Sequence, residues 1–252
     1  MKLVKIVQQQ AGISRRKAEA YIKDGRVDVN DETVTNPFVE WDLDDVTALA
    51  LKGQEVELTR PERVVKKFHK PRGMLSSHHD PHHKNTVGQV LKRHDLGDCA
   101  ITGRLDQDAE GLLIVTNDGD LVNVLTHPSY EVNKTYRVTV PRALPKRHVD
   151  EVLGRMKAGI PDDGEALHIE DGRLAPDQGN PDVTDLELEL AEGRKHEIKR
   201  LFKHFKLPVS RILRIAIGPV QLGDLRPNRL ADVSAAELEA LRQLKRRRPS
   251  TG

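Results

Sequence analysis

The chain has 252 residues, of which 41 are Lys or Arg and 39 Asp or Glu, for a formal net charge of +2; that length fits one large or two modest domains with cores of their own. Cys99 is the single cysteine, which excludes a disulfide framework and a thiolate metal cage. Met1–Gln10 lacks the apolar stretch of a signal peptide and no later segment approaches a membrane span, so the chain reads as soluble and cytoplasmic.

Residues 1–60 read as a separate module. Ser14 is placed to cap a helix over Arg15–Lys23, with Ala18, Tyr21 and Ile22 on one face and Gly25 at its stop. Val27 and Val29 then alternate with polar residues, and Asn30-Asp31 turns the chain into Thr33-Val34-Thr35, a short hairpin. Val46–Leu58 again alternates like strand, punctuated by Gly53. Arg15, Arg16, Lys17 and Arg26 gather positive charge on the helix and its exit, while Asp42, Asp44 and Asp45 keep the module as a whole from being basic. The run from Ala11 to Glu19, continued by Ile22–Asn30, resembles an S4 domain, which implies that those four cations bind structured RNA. Val4 departs from that family's more usual acidic residue.

Pro61-Glu62-Arg63 reads as a linker to a larger domain, residues 63–244, that opens on Val64–Phe68. Strand signals follow at Ala100–Thr102, Leu112–Thr116, Thr135–Val140, Asp185–Leu190 and Ile212–Ile217. Between and after them, helical patterns fall at Val87–Lys92, Leu121–Leu125, Lys146–Leu153, Lys195–His204 and Ala235–Leu244. Strands that return to one sheet with helices against it give an α+β domain. Residues 245–252 are expected to form a disordered basic tail.

Three segments could carry chemistry. Gly103-Arg104-Leu105-Asp106 sets an arginine and a carboxylate at a turn, and Gly111–Thr116 then runs as an apolar strand into Asn117-Asp118-Gly119. A single acid held still by a buried strand suits acid, base or nucleophilic work, although a surface ion pair beside a hairpin has the same spacing. Lys134–Val138 places Tyr136, one of three tyrosines, on a strand. Glu192–Arg200 opens a basic helix, and from Glu192 to Arg229 ten basic residues face three acidic ones, an excess that attracts polyanions.

Together these segments resemble the RsuA-type pseudouridine synthases of ribosomal RNA. Gly103–Asp106 and Gly111–Gly119 carry the signature, joined by Lys70–Gly73, His127-Pro128, Lys134–Tyr136, Glu192–Arg194, Glu197–Arg200, Ile217–Pro219 and Leu222–Leu225. The likeness runs from about residue 3 to residue 241 and keeps the family's order. It implies a mixed, largely antiparallel sheet flanked by helices. It also implies Asp106 as the catalytic acid, Lys199 as its basic partner, Tyr136 against a flipped uracil and Arg104 in the space the base leaves. A carboxylate can attack the sugar or the base, or shift a proton, without metal or cofactor if it stays ionised. Arg194, Lys195 and Arg200 are expected to grip RNA, and a monomer bound to ribosomal RNA or an assembly intermediate is the expected working state.

Ala109 stands where the family usually has threonine, so a hydrogen bond that steadies the catalytic loop would be missing, and His69 replaces a common asparagine. His78, His79, Asp80, His82 and His83 crowd one loop. They suit either an RNA path that gains charge in mild acid or a metal site. Two rivals follow: an RNA-binding protein without activity, and a metal-dependent hydrolase centred on the histidine loop.

Overall fold

The computed structural model describes residues 1–252 apart from 42, 44, 60, 61, 177, 178, 192 and 247–252, and gives only the backbone of 245 and 246. Two units are present, Met1–Glu62 and Arg63–Gly252. Asp42, Asp44, Pro61 of the expected linker, Glu192 and the tail from Arg247 onward lie outside the described residues.

The first unit pairs α1 (Leu3–Gln10) and α2 (Arg15–Lys23) with a sheet of β1 (Val27–Val29), β2 (Glu32–Thr33), β3 (Leu49–Leu51) and β4 (Gln54–Glu55), in the order β2-β1-β3-β4. Val4 lies inside α1, which buries Leu3, Val4, Ile6 and Val7 against Ala18, Ile22, Val27, Val29 and Leu49. Ser14 caps α2, its hydroxyl accepting from the Lys17 amide at 3.3 Å. Asn30 and Asp31 both take positive φ, 51° and 68°, the geometry that a two-residue hairpin requires. Arg15, Arg16, Lys17 and Arg26 are all exposed.

The second unit follows with β5 (Val65–Lys70), α3 (Val87–Arg93), β6 (Ala100–Thr102), β7 (Glu110–Thr116), α4 (Gly119–Thr126), β8 (Lys134–Val140) and α5 (Lys146–Ala158). Next come β9 (Ile160–Asp162), β10 (Glu165–Leu167), β11 (Asp171–Leu174), β12 (Thr184–Leu190), α6 (Glu197–His204), β13 (Arg211–Ile217), β14 (Val220–Gln221), β15 (Leu230–Asp232) and α7 (Ala235–Arg246). Its main sheet has the order β11-β12-β8-β13-β7-β5-β15, with β14 on β13 and β6 on β7. The β13–β7 pair is parallel and the other described strand pairs of this sheet are antiparallel.

Strand β7 explains its own composition. Leu113 and Val115 belong to the core on one face of the sheet, Leu112 and Ile114 to the core on the other, so an unbroken apolar run is what a strand covered on both sides needs. Helix α5 runs five residues beyond the expected Leu153, because Met156 is fully buried and Gly159, at φ 96°, supplies the stop. Helix α7 likewise continues through Arg246, two residues into the expected tail. Helix α6 begins at Glu197, not Lys195, because His196 turns left-handed at φ 53°. Strands β9, β10, β11, β14 and β15 show no alternation long enough to announce them. They form because partners hold them, as Asp171–Leu174 is held along β12.

One transverse row organises the sheet. Arg214 stands in register with Gly111 on one side and Tyr136 on the other, and Tyr136 with Leu188 beyond it. The backbones at Gly111 and Arg214 approach so closely that a Cβ on residue 111 would fall 2.3–2.9 Å from Arg214 backbone atoms, and Gly111 has φ 113°. Gly111→Ala is therefore expected to lower unfolding free energy by about 1–3 kcal/mol through overpacking and backbone strain. Urea denaturation with an unchanged m-value and midpoint would refute it.

Candidate active site

The Asp106 loop leaves β6 and enters β7, and it is fixed from below. Ser76 Oγ accepts from the Leu105 amide at 3.0 Å and donates to the Leu105 carbonyl at 2.9 Å. The Gly73 amide donates to the Gln107 carbonyl at 2.7 Å, and the Ala109 amide to the Asp106 carbonyl at 3.1 Å. Lys70 is fully buried, its Nζ 2.8 Å from the Met74 carbonyl, 3.1 Å from that of Pro71 and 3.4 Å from that of Gln107. Ala109 is buried in the main core. The loop is held by these backbone bonds and by Ser76. His69 is also buried, with Nδ1 2.6 Å from the Leu225 carbonyl, and Nε2 has no hydrogen-bond partner.

At the loop tip the side chain of Asp106 is about one-third exposed. Its Oδ2 lies 2.7 Å from His196 Nδ1, where the imidazole donates, and 3.4 Å from Lys199 Nζ. Lys199 sits closer to Asp108 Oδ1, at 2.6 Å. The hydrogen bond from Lys199 holds the Asp108 carboxyl below the usual range. Burial alone would lower the Lys199 pKa, but the bond to Asp108 and the charges of Asp106 and Asp108 outweigh it and leave it raised. The cation expected to serve Asp106 is thus shared with Asp108. His196 and Asp108 are not legible as partners from spacing: the left-handed turn at His196 brings its imidazole to Asp106, and Asp108 reaches Lys199 from the loop before β7.

Beside this constellation lies a cavity of about 620 Å³ lined by Asp106, Arg104, Leu105, Tyr136, Lys134 and Arg214, among others. Tyr136 is buried, its hydroxyl 3.4 Å from Arg214 Nη1. Arg214 itself is 3 % exposed, donates from Nε to the Leu112 carbonyl at 2.7 Å, and has an Nη2 without a hydrogen-bond partner. In the sequence Arg214 stands out only as part of a basic stretch; its place in the row with Gly111 and Tyr136 comes from strand register. Burial, and then the charge of Arg214, lower the Lys134 pKa. Arg104 is exposed, and its carbonyl accepts from Arg214 Nη1 at 3.4 Å.

The cations at the start of α6 are less available than their number suggests. Arg200 binds Asp162 at 2.5 Å and Glu165 at 2.6 Å, and Arg194 binds Glu165 at 3.1 Å and the Ala166 carbonyl at 2.8 Å. The β9–β10 hairpin, whose carboxylates fall outside the Glu192–Arg229 stretch, compensates them. Lys195 is exposed.

The histidine loop closes on Asp80, whose Oδ1 accepts from the amides of His82 and His83 at 2.9 Å and lies 3.1 Å from His83 Nδ1. Among the described residues no group of three or more His, Cys, Asp or Glu is arranged to hold a metal. The hydrolase rival therefore lacks a ligand set in that loop. No helix among the described residues is long and apolar enough to cross a membrane.

Residues 66–204 match the family model for RNA pseudouridylate synthases. A relative named as an uncharacterised RNA pseudouridine synthase of Mycobacterium leprae is 37% identical over 96% of this chain and 92% of its own length. Ribosomal large subunit pseudouridine synthase B of Bacillus subtilis is 32% identical over 96% of each chain. A crystal structure of a pseudouridylate synthase superposes with a TM-score of 0.62 at 26% identity, covering 96% of this chain and 99% of that one.

Lys70 ties the stability of this site to pH. Burial pushes its pKa from 10.5 down to about 8, against the opposing pull of Asp108 and Glu110. Below about 8 the folded and unfolded chains both hold the proton and the burial penalty is complete; above 10.5 neither does and the penalty is gone. Between the two the unfolded chain binds more protons, so the Lys70 contribution to stability becomes more favourable as pH rises. The stability of the wild type relative to Lys70→Met should therefore increase between pH 7.5 and pH 10, as read from urea midpoints. A constant difference would contradict this.

Proposed function

The chain belongs to the RNA pseudouridylate synthase family, and on that premise we propose that it converts a uridine of ribosomal RNA to pseudouridine with Asp106 as the catalytic carboxylate. The observation that carries the reading is Asp106 at the edge of a cavity walled by Tyr136, with an imidazole and an ammonium on its Oδ2. The relative named for the ribosomal large subunit supports ribosomal RNA as the substrate class and favours the large-subunit RNA.

The reaction is an isomerisation. The bond from uracil N1 to ribose C1′ breaks, one from C5 to C1′ forms, and the proton lost from C5 is balanced by one gained at N1. Atoms and oxidation state are unchanged, so a carboxylate regenerated at the end is sufficient, whether it first attacks sugar or base or moves a proton. The His196 and Lys199 donors on Oδ2 fix its rotamer. A base inside a helical stack cannot reach such a group, so the target nucleotide leaves the stack and enters the cavity. There Tyr136 offers an aromatic wall, its hydroxyl tethered by Arg214. Arg104, exposed at the cavity edge, is the planar cation for the vacated space or a nearby phosphate.

The first unit serves in this reading as an S4-type RNA-binding module through Arg15, Arg16, Lys17 and Arg26, supported by their exposure on α2 and its exit. The working form is a cytoplasmic monomer on ribosomal RNA or an assembly intermediate, with Lys195 adding a contact beside the site.

Asp106→Asn is expected to lower turnover by a factor on the order of 10³ or more with folding intact. The readout is carbodiimide-dependent reverse-transcription stops across ribosomal RNA from cells lacking the gene, complemented with wild type or variant. A stop restored equally by both would sink the assignment of Asp106; RNA binding with no modified position would leave the binding-only rival. Lys199→Met should reduce kcat on the order of 10²-fold by removing a charge from Asp106, and Asp108→Asn, which releases Lys199 to Asp106, by much less. A larger loss in Asp108→Asn would reverse the roles given to the two carboxylates.

A further inference from the structure

The cavity beside Asp106 does not end there. A recess of about 400 Å³ lined by Asp106, Gln107, His196, Arg72 and Asp108 continues from it, sharing the first three residues with the cavity. The last two, Arg72 and Asp108, also line a second concavity of about 630 Å³. Its other charged walls are Lys199, Lys203, Lys206 and Arg211, set over an apolar floor that includes the buried Leu207 and Ile212.

Charge separates this concavity from the start of α6. There Arg194 and Arg200 are bound by Glu165 and Asp162. Here Asp108 is engaged by Lys199, and Arg211 by Glu110. Among the described residues Lys203 and Lys206 have no ion pair, and Arg72 gives Nη1 to the Ser210 carbonyl at 3.3 Å. All three are exposed. Lys206 closes α6 in the left-handed conformation, φ 54°, a position that favours glycine or asparagine. A lysine there puts a second cation on the rim that already holds Lys203.

We propose that this second concavity is a subsite for the RNA strand next to the flipped nucleotide, with Arg72, Lys203 and Lys206 on its phosphodiesters and the apolar floor under a ribose or base. The proposal rests on the reading of the chain as an RNA-modifying enzyme. It assigns the grip on the strand to the C-terminal end of α6 and the loop before β13, and not to the ion-paired arginines at the other end.

The test is the affinity of the full chain for a fluorescein-labelled twelve-nucleotide uridine oligomer across a salt series. Lys203→Glu with Lys206→Glu should weaken Kd at least tenfold and lower the slope of log Kd against log salt by about 1.4, the value for two single-strand phosphate contacts. Lys146→Glu with Arg147→Glu, exposed on α5 and outside the three concavities, makes the same change in net charge and should stay within twofold of wild type. Equal weakening by the two pairs would overturn the proposal, as would an unchanged salt slope or wild-type binding too weak to measure at 50 mM salt. If the glutamate pair fails a thermal-melt check, Lys203→Gln with Lys206→Gln should still weaken binding at least threefold, and unchanged affinity there overturns the proposal too. Binding is read without turnover. A protein that never forms pseudouridine would therefore count against the synthase reading alone, and equal affinities with turnover intact against the subsite alone.

Discussion

The parallel seam between β7 and β13 is the constraint on which the rest of the catalytic unit depends. Where Gly111 meets Arg214 there is no room for a side chain, and that close approach brings the strand after Asp106 against the strand after α6. Because β13 also pairs with β8, the same seam sets Tyr136 beside Arg214. Acid loop, arginine and tyrosine thus lie side by side through backbone register, which is stiffer than any contact between long side chains.

The ion pairs around Asp106 work on a different scale. Lys199 is about one-third exposed and Asp108 about half exposed, and pairs so accessible contribute at most about 1 kcal/mol to stability. Their role is orientation. Lys70 is the contrasting case: a fully buried ammonium satisfied by three carbonyls, whose removal would leave the turn under Asp106 without its anchor. Rigidity therefore comes from below the loop and electrostatic tuning from above it. The tunable part can change partners while the backbone of the loop stays put.

Local signals in the chain were reliable where a residue decides its own geometry. Ser14 at the start of α2, Asn30-Asp31 in the first hairpin, and the apolar run of β7 each read correctly because capping, positive φ and burial on two faces are properties of short segments. Signals failed where a partner distant in sequence decides. Strand β11 contains a glycine and shows no alternation, yet pairs along β12. Arg200 looked like a free cation until the β9–β10 hairpin supplied Asp162 and Glu165. For the site, Asp106, Arg104, Tyr136 and Lys199 were legible from motif order and do line one cavity. Arg214, His196 and Asp108 were not, since register and a left-handed turn, not motif spacing, bring them in.

The two units also differ in when they can exist. The first completes its core, Leu3 to Leu49, within a short stretch of chain. In the second, Arg214 must find the Leu112 carbonyl 102 residues earlier, and Asp232 must find Lys66 across 166 residues. Such distant pairings close late and slowly, while units near the N-terminus fold first as a chain is synthesised. On the ribosome, then, the basic helix α2 is assembled well before the seam can form, and a nascent chain carries a finished first unit while the cavity beside Asp106 still lacks its β13 wall. The interval between those events is a period of vulnerability, because β7, though already able to pair with β5 and β6, keeps its Glu110–Gly111 edge open until β13 arrives.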